Sequence, residues 1–138
     1  MPMPRNKQPM CPCGGANYAQ CCGRFIEQAK VPQTAVELMR SRYAAYTLRE
    51  DAYLQATWHA STRPARLVTE ENLKWLGLEV RKQAQIGDAA TVEFVARYKV
   101  DGRAHRLHEI SRFVREDGRW FYVDGSFPGK NFNIAGQI

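Results

Sequence analysis

All four cysteines of the 138-residue chain lie in one short segment, CPCGGANYAQCCG, which spans residues 11–23. Such a cluster could form a disulfide, act as a redox-active thiol pair, or bind a metal ion. The first ten residues contain no apolar segment typical of a secretory signal, so we expect a cytoplasmic protein, in which structural disulfides are rare. The chain also contains no C-x-x-C redox motif. The pattern therefore favours a metal site over thiol chemistry.

The spacing of the cysteines fits a closed zinc shell. The predicted ligands are the four sulfurs of Cys11, Cys13, Cys21 and Cys22. Four thiolates complete a tetrahedral shell around Zn²⁺ and leave no position for a substrate, so we expect a structural ion. Gly14 and Gly15, in the spacer between the two pairs, allow the sharp turn that brings the pairs together. Thiolate ligands suit iron as well, so the ligand types alone leave zinc and iron open.

A second group of chemically capable residues follows from the predicted strand register. Two Asp-Gly pairs, at 101–102 and 117–118, are typical of two-residue hairpin turns. Counting outward from these turns places Phe94 opposite Glu109 and Ser111 opposite Asp124. The predicted strands run from Leu76 to Val80 and over 91–100, 103–116 and 119–125.

This register places two carboxylates and a serine on the apolar face of the sheet, where a charge is costly unless it is paired or solvated. The predicted pocket consists of Trp58, His59, Trp75, Phe94, Glu109, Ser111, Tyr122 and Asp124. Two interpretations remain open. The carboxylates could be structural, and either cap loops or pair with arginines such as Arg40 or Arg42. Alternatively, they could line a ligand or catalytic pocket, with Glu109 or Asp124 as general base and His59 as its partner.

Helices precede these strands in the sequence. Thr34 and Glu37 form the T-x-x-E pattern of a capping box, which predicts the start of a helix. A second short helix is predicted with Asp51 as its N-cap, and a third helical segment over 66–76. Helices followed by an antiparallel meander predict an α+β fold with helices packed on one face of a curved sheet. The apolar stripe of the first helix consists of Val36, Met39, Tyr43 and Tyr46.

Length and composition predict one domain with a small appendage. The expected segments are a flexible leader (1–10), a zinc knuckle (11–30), the α+β domain (31–128) and a tail (129–138). The formal net charge of +6 is compatible with RNA, ribosomal or acidic protein partners, but equally with scattered surface charge. No long basic run supports sequence-specific nucleic-acid binding. No apolar run is long enough for a membrane span, so no membrane association is expected.

The cysteine segment resembles the SEC-C motif, a zinc knuckle best known at the C-terminus of the bacterial preprotein translocase motor. The matching residues are Cys11, Pro12, Cys13, Gly14, Tyr18, Cys21 and Cys22. The motif usually has one more residue between its two ligand pairs than this chain has. In the motor the knuckle contacts an export chaperone and the ribosome. The resemblance therefore implies bound Zn²⁺ and a protein or ribosomal partner.

Most of the chain resembles the YchJ-type family of bacterial proteins, which join such a knuckle to a nuclear-transport-factor-like, or cystatin-like, cone domain. The matching stretches are LMRSRYAAY (38–46), TWHAS (57–61), WLGL (75–78), FVARY (94–98), HEISRF (108–113) and WFYVDG (120–125). The resemblance implies a fold and a zinc site but no reaction. Domains of this fold often pair through their sheets, so a homodimer is a further expectation.

Two functional hypotheses follow. The leading one is a zinc-dependent interaction module, joined to a cone domain, that binds a protein or the ribosome. The alternative is a small-molecule-binding protein or enzyme that uses the carboxylate-lined pocket of the cone.

Overall fold

The computed structural model describes residues 9–67 and 72–128. A short 3-10 helix, Tyr18–Gln20, and three α-helices precede a four-stranded antiparallel meander in the order β1-β2-β3-β4. The helices are α1 (Gly23–Ile26), α2 (Ala35–Leu48) and α3 (Asp51–Ala56). The strands are β1 (Leu73–Ile86), β2 (Ala89–Val100), β3 (Arg103–Glu116) and β4 (Arg119–Ser126). The predicted α+β class is confirmed.

Helix α2 begins where the capping box predicts. The Thr34 hydroxyl accepts a hydrogen bond from the Glu37 amide at 3.1 Å, and the Glu37 carboxylate accepts one from the Gln33 amide at 2.7 Å. These side chains satisfy amides that have no partner inside the helix. The helix ends at Arg49, whose φ of 60° places it in the left-handed region. Its buried side, which includes Leu38 and Tyr43, packs on the sheet.

Helix α3 begins one residue earlier than predicted, because Glu50 rather than Asp51 is its N-cap. The chain then runs alongside the outer edge of β4. The Tyr122 amide donates to the Thr57 carbonyl at 2.9 Å, and the His59 amide donates to the Tyr122 carbonyl at 2.8 Å. This short parallel bridge covers part of the edge of the sheet.

The predicted helix over 66–76 is wrong for residues 73–76, which begin β1; residues 68–71 lie outside the described part of the chain. A bulge in β1 between Trp75 and Gly77 explains the error. It leaves Leu76 48% exposed. Because a bulge breaks the period-two alternation, the sequence pattern here resembles a helix.

The two Asp-Gly turns have the predicted geometry. Asp101 and Asp117 have φ values of 50° and 54°, and the glycines that follow them are also at positive φ, as a type I′ turn requires. The predicted pairing of β2 with β3 is confirmed, with Phe94 opposite Glu109.

The pairing of β3 with β4 departs from the prediction at a bulge. Phe113 pairs with Tyr122 as expected, but Arg112 then pairs with Asp124, so Val123 is the extra residue. Ser111 consequently faces Gly125 rather than Asp124. Because one inserted residue reverses the face of every following side chain, the prediction that Asp124 lies on the inner face is wrong.

The core lies between α2 and the inner face of the sheet. It includes Val92, Phe94, Ala96, Tyr98, Leu107, Phe113, Trp120 and Tyr122. The same cluster also includes three of the cysteines, so the knuckle packs against the helical layer. Among the described residues, no helix is both long and apolar enough to cross a bilayer.

Candidate metal centre and the buried polar cluster

The sulfur atoms of Cys11, Cys13, Cys21 and Cys22 all lie within 4.8 Å of one another. The distance between the sulfurs of Cys13 and Cys21 is 3.6 Å. In a tetrahedral shell with Zn–S bonds of about 2.3 Å, neighbouring sulfurs are roughly 3.8 Å apart. The cluster therefore has the size and the donor set of a four-thiolate metal site.

The first ligand pair is held by a small turn. The Cys11 amide donates to the Ala16 carbonyl at 2.9 Å, and the Gly14 amide donates to the Cys11 carbonyl at 3.0 Å. Gly14 has a φ of 92°, which side chains rarely allow. A Cβ atom on Gly15 would lie only 2.8 Å from the Cys21 sulfur. The second glycine is therefore needed so that the sulfurs can approach each other.

The second ligand pair lies at the junction between the 3-10 helix and α1. The Cys21 amide donates to the Tyr18 carbonyl at 3.0 Å. The Tyr18 ring packs against Gly23, where an added Cβ would come within 2.7 Å of the Tyr18 carbonyl oxygen. The Tyr18 hydroxyl donates to Glu27 at 3.0 Å, which joins the two helical turns. Tyr18 and Gly23 thus fix the backbone that carries the adjacent cysteines.

The electrostatics of the cluster favour a bound cation. Hydrogen bonding among the sulfurs, with burial, raises the pKa of Cys11 and Cys22, whereas hydrogen bonds from these two neighbours lower the pKa of Cys13. Without a cation, the four sulfurs cannot all ionise readily, because adjacent thiolates repel one another. A divalent ion would remove this repulsion and allow all four sulfurs to bind as thiolates.

The cysteine cluster is anchored to the cone. Cys13 and Cys22 are each only 1% exposed, and Phe25 of α1 is 6% exposed. The guanidinium of Arg40, on α2, donates to the Cys13 carbonyl at 3.1 Å. The conformation of the ligand loop is therefore coupled to the helical layer.

A second buried group of polar residues lies on the inner face of the sheet. One carboxylate oxygen of Glu109 accepts hydrogen bonds from the Ser111 hydroxyl at 2.9 Å and from the Tyr122 hydroxyl at 2.8 Å. All three residues are fully buried. Gly125 lies directly beside them, and a Cβ atom there would collide with the Glu109 carboxylate.

Arg42, from α2, is the buried cation of this cluster. Its guanidinium donates to the Leu54 carbonyl at 2.9 Å and to the Thr57 hydroxyl at 2.7 Å. It also lies over the rings of Trp58 and Tyr122, at 5.0 and 4.6 Å from their centres. Burial lowers the pKa of Arg42, and the charge of Glu109 opposes this shift. These contacts favour the structural interpretation, in which the carboxylate is balanced by an arginine.

The structure brings together only part of the predicted pocket. Trp58 and Phe94 lie in the core with Glu109, Ser111 and Tyr122, and the rings of Trp58 and Tyr122 meet edge-to-face at 5.1 Å. Trp75 instead packs against the rings of Tyr43, Tyr46 and Tyr98.

Two predicted pocket residues, His59 and Asp124, point elsewhere, so their predicted placement in the pocket is wrong. The His59 ring bonds Glu116 at 2.8 Å and Ser61 at 2.7 Å, because the bridge to β4 turns it toward the outer end of the hairpin. Asp124 forms a two-bond ion pair with Arg112, at 2.6 and 2.7 Å, on the opposite face. The Arg112 hydrogen bonds lower the pKa of Asp124.

Sequence analysis did not assign roles to Gly125 and Thr57. In the sequence, Gly125 stands only at the end of the predicted fourth strand. It could be found only from the bulge that turns it toward Glu109. The Thr57 hydroxyl could be found only once α3 was placed beside Arg42.

The family model described as "YchJ, middle NTF2-like domain" matches residues 34–125. The chain belongs to the YchJ family. It is 59% identical over 117 residues to a UPF0225 protein of Methylibium petroleiphilum, covering 83% of this chain and 86% of that protein. It is 56% identical over 128 residues to a UPF0225 protein of Ralstonia nicotianae, covering 83% and 89%.

Two solved structures resemble this YchJ-family chain. The solution structure of a SEC-C motif containing protein from Rhodopseudomonas palustris has a TM-score of 0.77 and 31% identity, covering 85% of this chain and 97% of that chain. The crystal structure of a SEC-C motif containing protein from Psychrobacter arcticus has a TM-score of 0.70 and 26% identity, covering 83% and 80%. The predicted family resemblance is therefore confirmed.

Proposed function

We propose that the cysteine cluster holds one structural zinc ion, and that the knuckle it stabilises is a docking module for a protein or ribosomal partner. The observation that carries the proposal is the convergence of four sulfurs within 4.8 Å. A shell filled by four protein ligands has no open position for a substrate, which favours a structural ion over a catalytic one.

The charge and position of the knuckle support a docking role. Arg24 donates to the Cys21 carbonyl, and the exposed Lys30 donates through its amide to the Arg24 carbonyl. Arg40 bonds the ligand loop to the cone. Exposed cationic side chains beside the knuckle suit an acidic protein surface or a ribosome. The similarity to the SEC-C motif adds a precedent, because in the translocase motor this knuckle contacts an export chaperone and the ribosome.

Elemental analysis of the purified chain tests the metal. We expect one zinc ion per chain, and Co²⁺ substitution should give the absorption of a tetrahedral thiolate site. Stoichiometric iron in place of zinc would contradict the assigned metal. A metal-free protein that remains fully folded would contradict the site.

The docking role is tested by co-sedimentation with purified ribosomes and by pull-down with purified candidate partners. Cys21→Ser removes the most accessible ligand and should abolish binding together with zinc. Gln83→Ser, at an exposed position of β1, is the matched control and should bind like the original chain. Unchanged binding by the zinc-free Cys21→Ser protein would refute the docking role.

A further inference from the structure

A groove of about 210 Å³ lies where the knuckle meets the cone. One wall comes from α1 and the segment that follows it, and the other comes from α3 and the first residues of β4. The apolar lining includes Phe25, Val31, Pro32, Leu38, Ala56 and Phe121. The groove therefore offers room for an apolar side chain at the boundary between the two parts of the fold.

The groove runs along an unpaired stretch of sheet edge. The amide and carbonyl of Tyr122 face away from β3 and bond the segment that contains Thr57 and His59. Because backbone groups in an antiparallel pair alternate in direction, those of Trp120, two residues earlier, face the same way. Within residues 9–67 and 72–128, no hydrogen bond joins the Trp120 backbone to a segment on this outer side. The amide and carbonyl of Trp120, a residue that is 4% exposed, thus have no backbone partner on this side among the described residues.

The charged residues that line the groove have one sign. Lys30 and Arg119 both belong to its lining and both are exposed, and the described lining includes no acidic residue. An occupant with carboxylates next to its apolar side chain would complement them, because opposite charges favour association and reject basic competitors.

We propose that this groove binds an extended, acidic peptide segment of another protein. The segment adds to the edge of β4 by hydrogen bonding to the Trp120 backbone. It places one apolar side chain in the groove and its carboxylates near Lys30 and Arg119. Backbone pairing supplies affinity in such strand addition, and the side-chain groove supplies specificity.

This inference rests on the proposed function, since it names the place and the chemistry of docking. It also explains why docking requires the metal. Phe25 and the residues around Lys30 form one wall, and they follow directly after the ligands Cys21 and Cys22. Loss of the ion would allow this segment to move away from β4, and only the open edge of the sheet would remain.

The test begins with a displayed library of random twelve-residue peptides, selected on the zinc-loaded full chain. Ala56→Trp, which fills the groove from an exposed position, serves for counter-selection. Ala52→Trp is the matched control, because Ala52 is exposed on the same helix and is not part of the described lining. We expect enrichment of extended peptides that combine an apolar residue with Asp or Glu.

Selected peptides are then synthesised with a fluorophore and titrated by anisotropy. Ala56→Trp and the double variant Lys30→Glu, Arg119→Glu should each weaken binding at least tenfold, whereas Ala52→Trp should leave it unchanged. In an NMR titration, the amide resonance of Trp120 should change its chemical shift. Proline lacks a backbone N–H, so a proline scan of the peptide should find one position where binding is lost.

Three outcomes would overturn the inference: no enrichment over the counter-selection, equal binding by Ala56→Trp, or shifts confined to another surface. Self-association that Ala56→Trp abolishes would assign the groove to a second copy of the chain and overturn it as well. Zinc content and ribosome co-sedimentation, measured on the same preparations, report separately on the proposed function.

Discussion

The carboxylate of Glu109 lies against the backbone of Gly125, in space that the Cβ atom of any other residue would occupy. The bulge at Val123 creates this relationship, because it turns Gly125 toward the inner face opposite Ser111. A buried carboxylate on an apolar sheet is thus accommodated by a bulge and a glycine.

Substitution of Gly125 should lower the free energy of unfolding. In Gly125→Ala, the added methyl group overlaps the Glu109 side chain, and overpacking of a buried site typically costs about 1–3 kcal/mol. Urea denaturation should show the decrease in the free energy of unfolding. Gly77→Ala is the control, because an added Cβ at Gly77 meets nothing within 4 Å. Equal stability of the two variants would contradict the proposed contact.

The buried tyrosines predict a loss of stability at high pH. Burial, followed by the charge of Glu109, raises the pKa of Tyr122 above its usual value of 10.0. A raised folded-state pKa gives stability that is complete below the unfolded-state pKa and is lost as pH rises above it. Above pH 10, Tyr122 should therefore contribute a decrease of about 1.4 kcal/mol per pH unit.

Tyr122→Phe should remove this contribution to the slope of the free energy of unfolding against pH, whatever its effect on stability at pH 7. Denaturation curves recorded between pH 8 and 11 measure the slope directly. A slope that is identical in the variant would show that Tyr122 ionises normally in the folded protein.

Gly15 should control metal affinity rather than metal identity. Gly15→Ala places a methyl group 2.8 Å from the Cys21 sulfur, so the ligand loop must shift. Changes next to first ligands commonly cost 10–100-fold in affinity, and we expect a loss of about that size. Competition with a chromophoric chelator measures it. Gly14→Ala is an informative comparison, because its added Cβ meets nothing within 4 Å, and its cost comes from backbone strain at positive φ.

Metal removal should destabilise the cone as well as the knuckle. The cysteines share one hydrophobic cluster with α2 and the sheet, and Arg40 bonds the ligand loop. Chelation should therefore shift the whole unfolding transition to lower temperature, measured by tryptophan fluorescence. The mutant Arg40→Ala should reduce this coupling. An unchanged transition of the sheet after metal loss would indicate independent units.

The sequence predicted the features that depend on local chemistry. The cysteine spacing identified the sulfurs that converge, and the Asp-Gly turns gave the register that places Phe94 opposite Glu109. The capping box at Thr34 gave the start of α2.

The errors arose where a single extra residue moves the following side chains of a strand to the other face of the sheet. The bulge at Val123 places Asp124 on the opposite face of the sheet. The bulge at Leu76 interrupts the alternation of apolar residues at the start of β1, so the sequence there resembles a helix. Such bulges are stabilised by distant contacts. The Val123 carbonyl, for example, accepts a hydrogen bond from the Thr62 hydroxyl at 2.6 Å. The periodicity of the sequence does not indicate that contact.

The partial cover of β4 has a consequence for the solubility of the chain. The linker after α1 lies beside Trp120, whose indole donates to the Gln33 carbonyl at 3.3 Å. An uncovered sheet edge is a template for pairing with other chains, and proteins protect such edges to avoid aggregation. If loss of a bound cation loosens the linker, more of this edge becomes exposed, together with its apolar neighbours. Metal supply would then determine how much of the protein a cell keeps in solution.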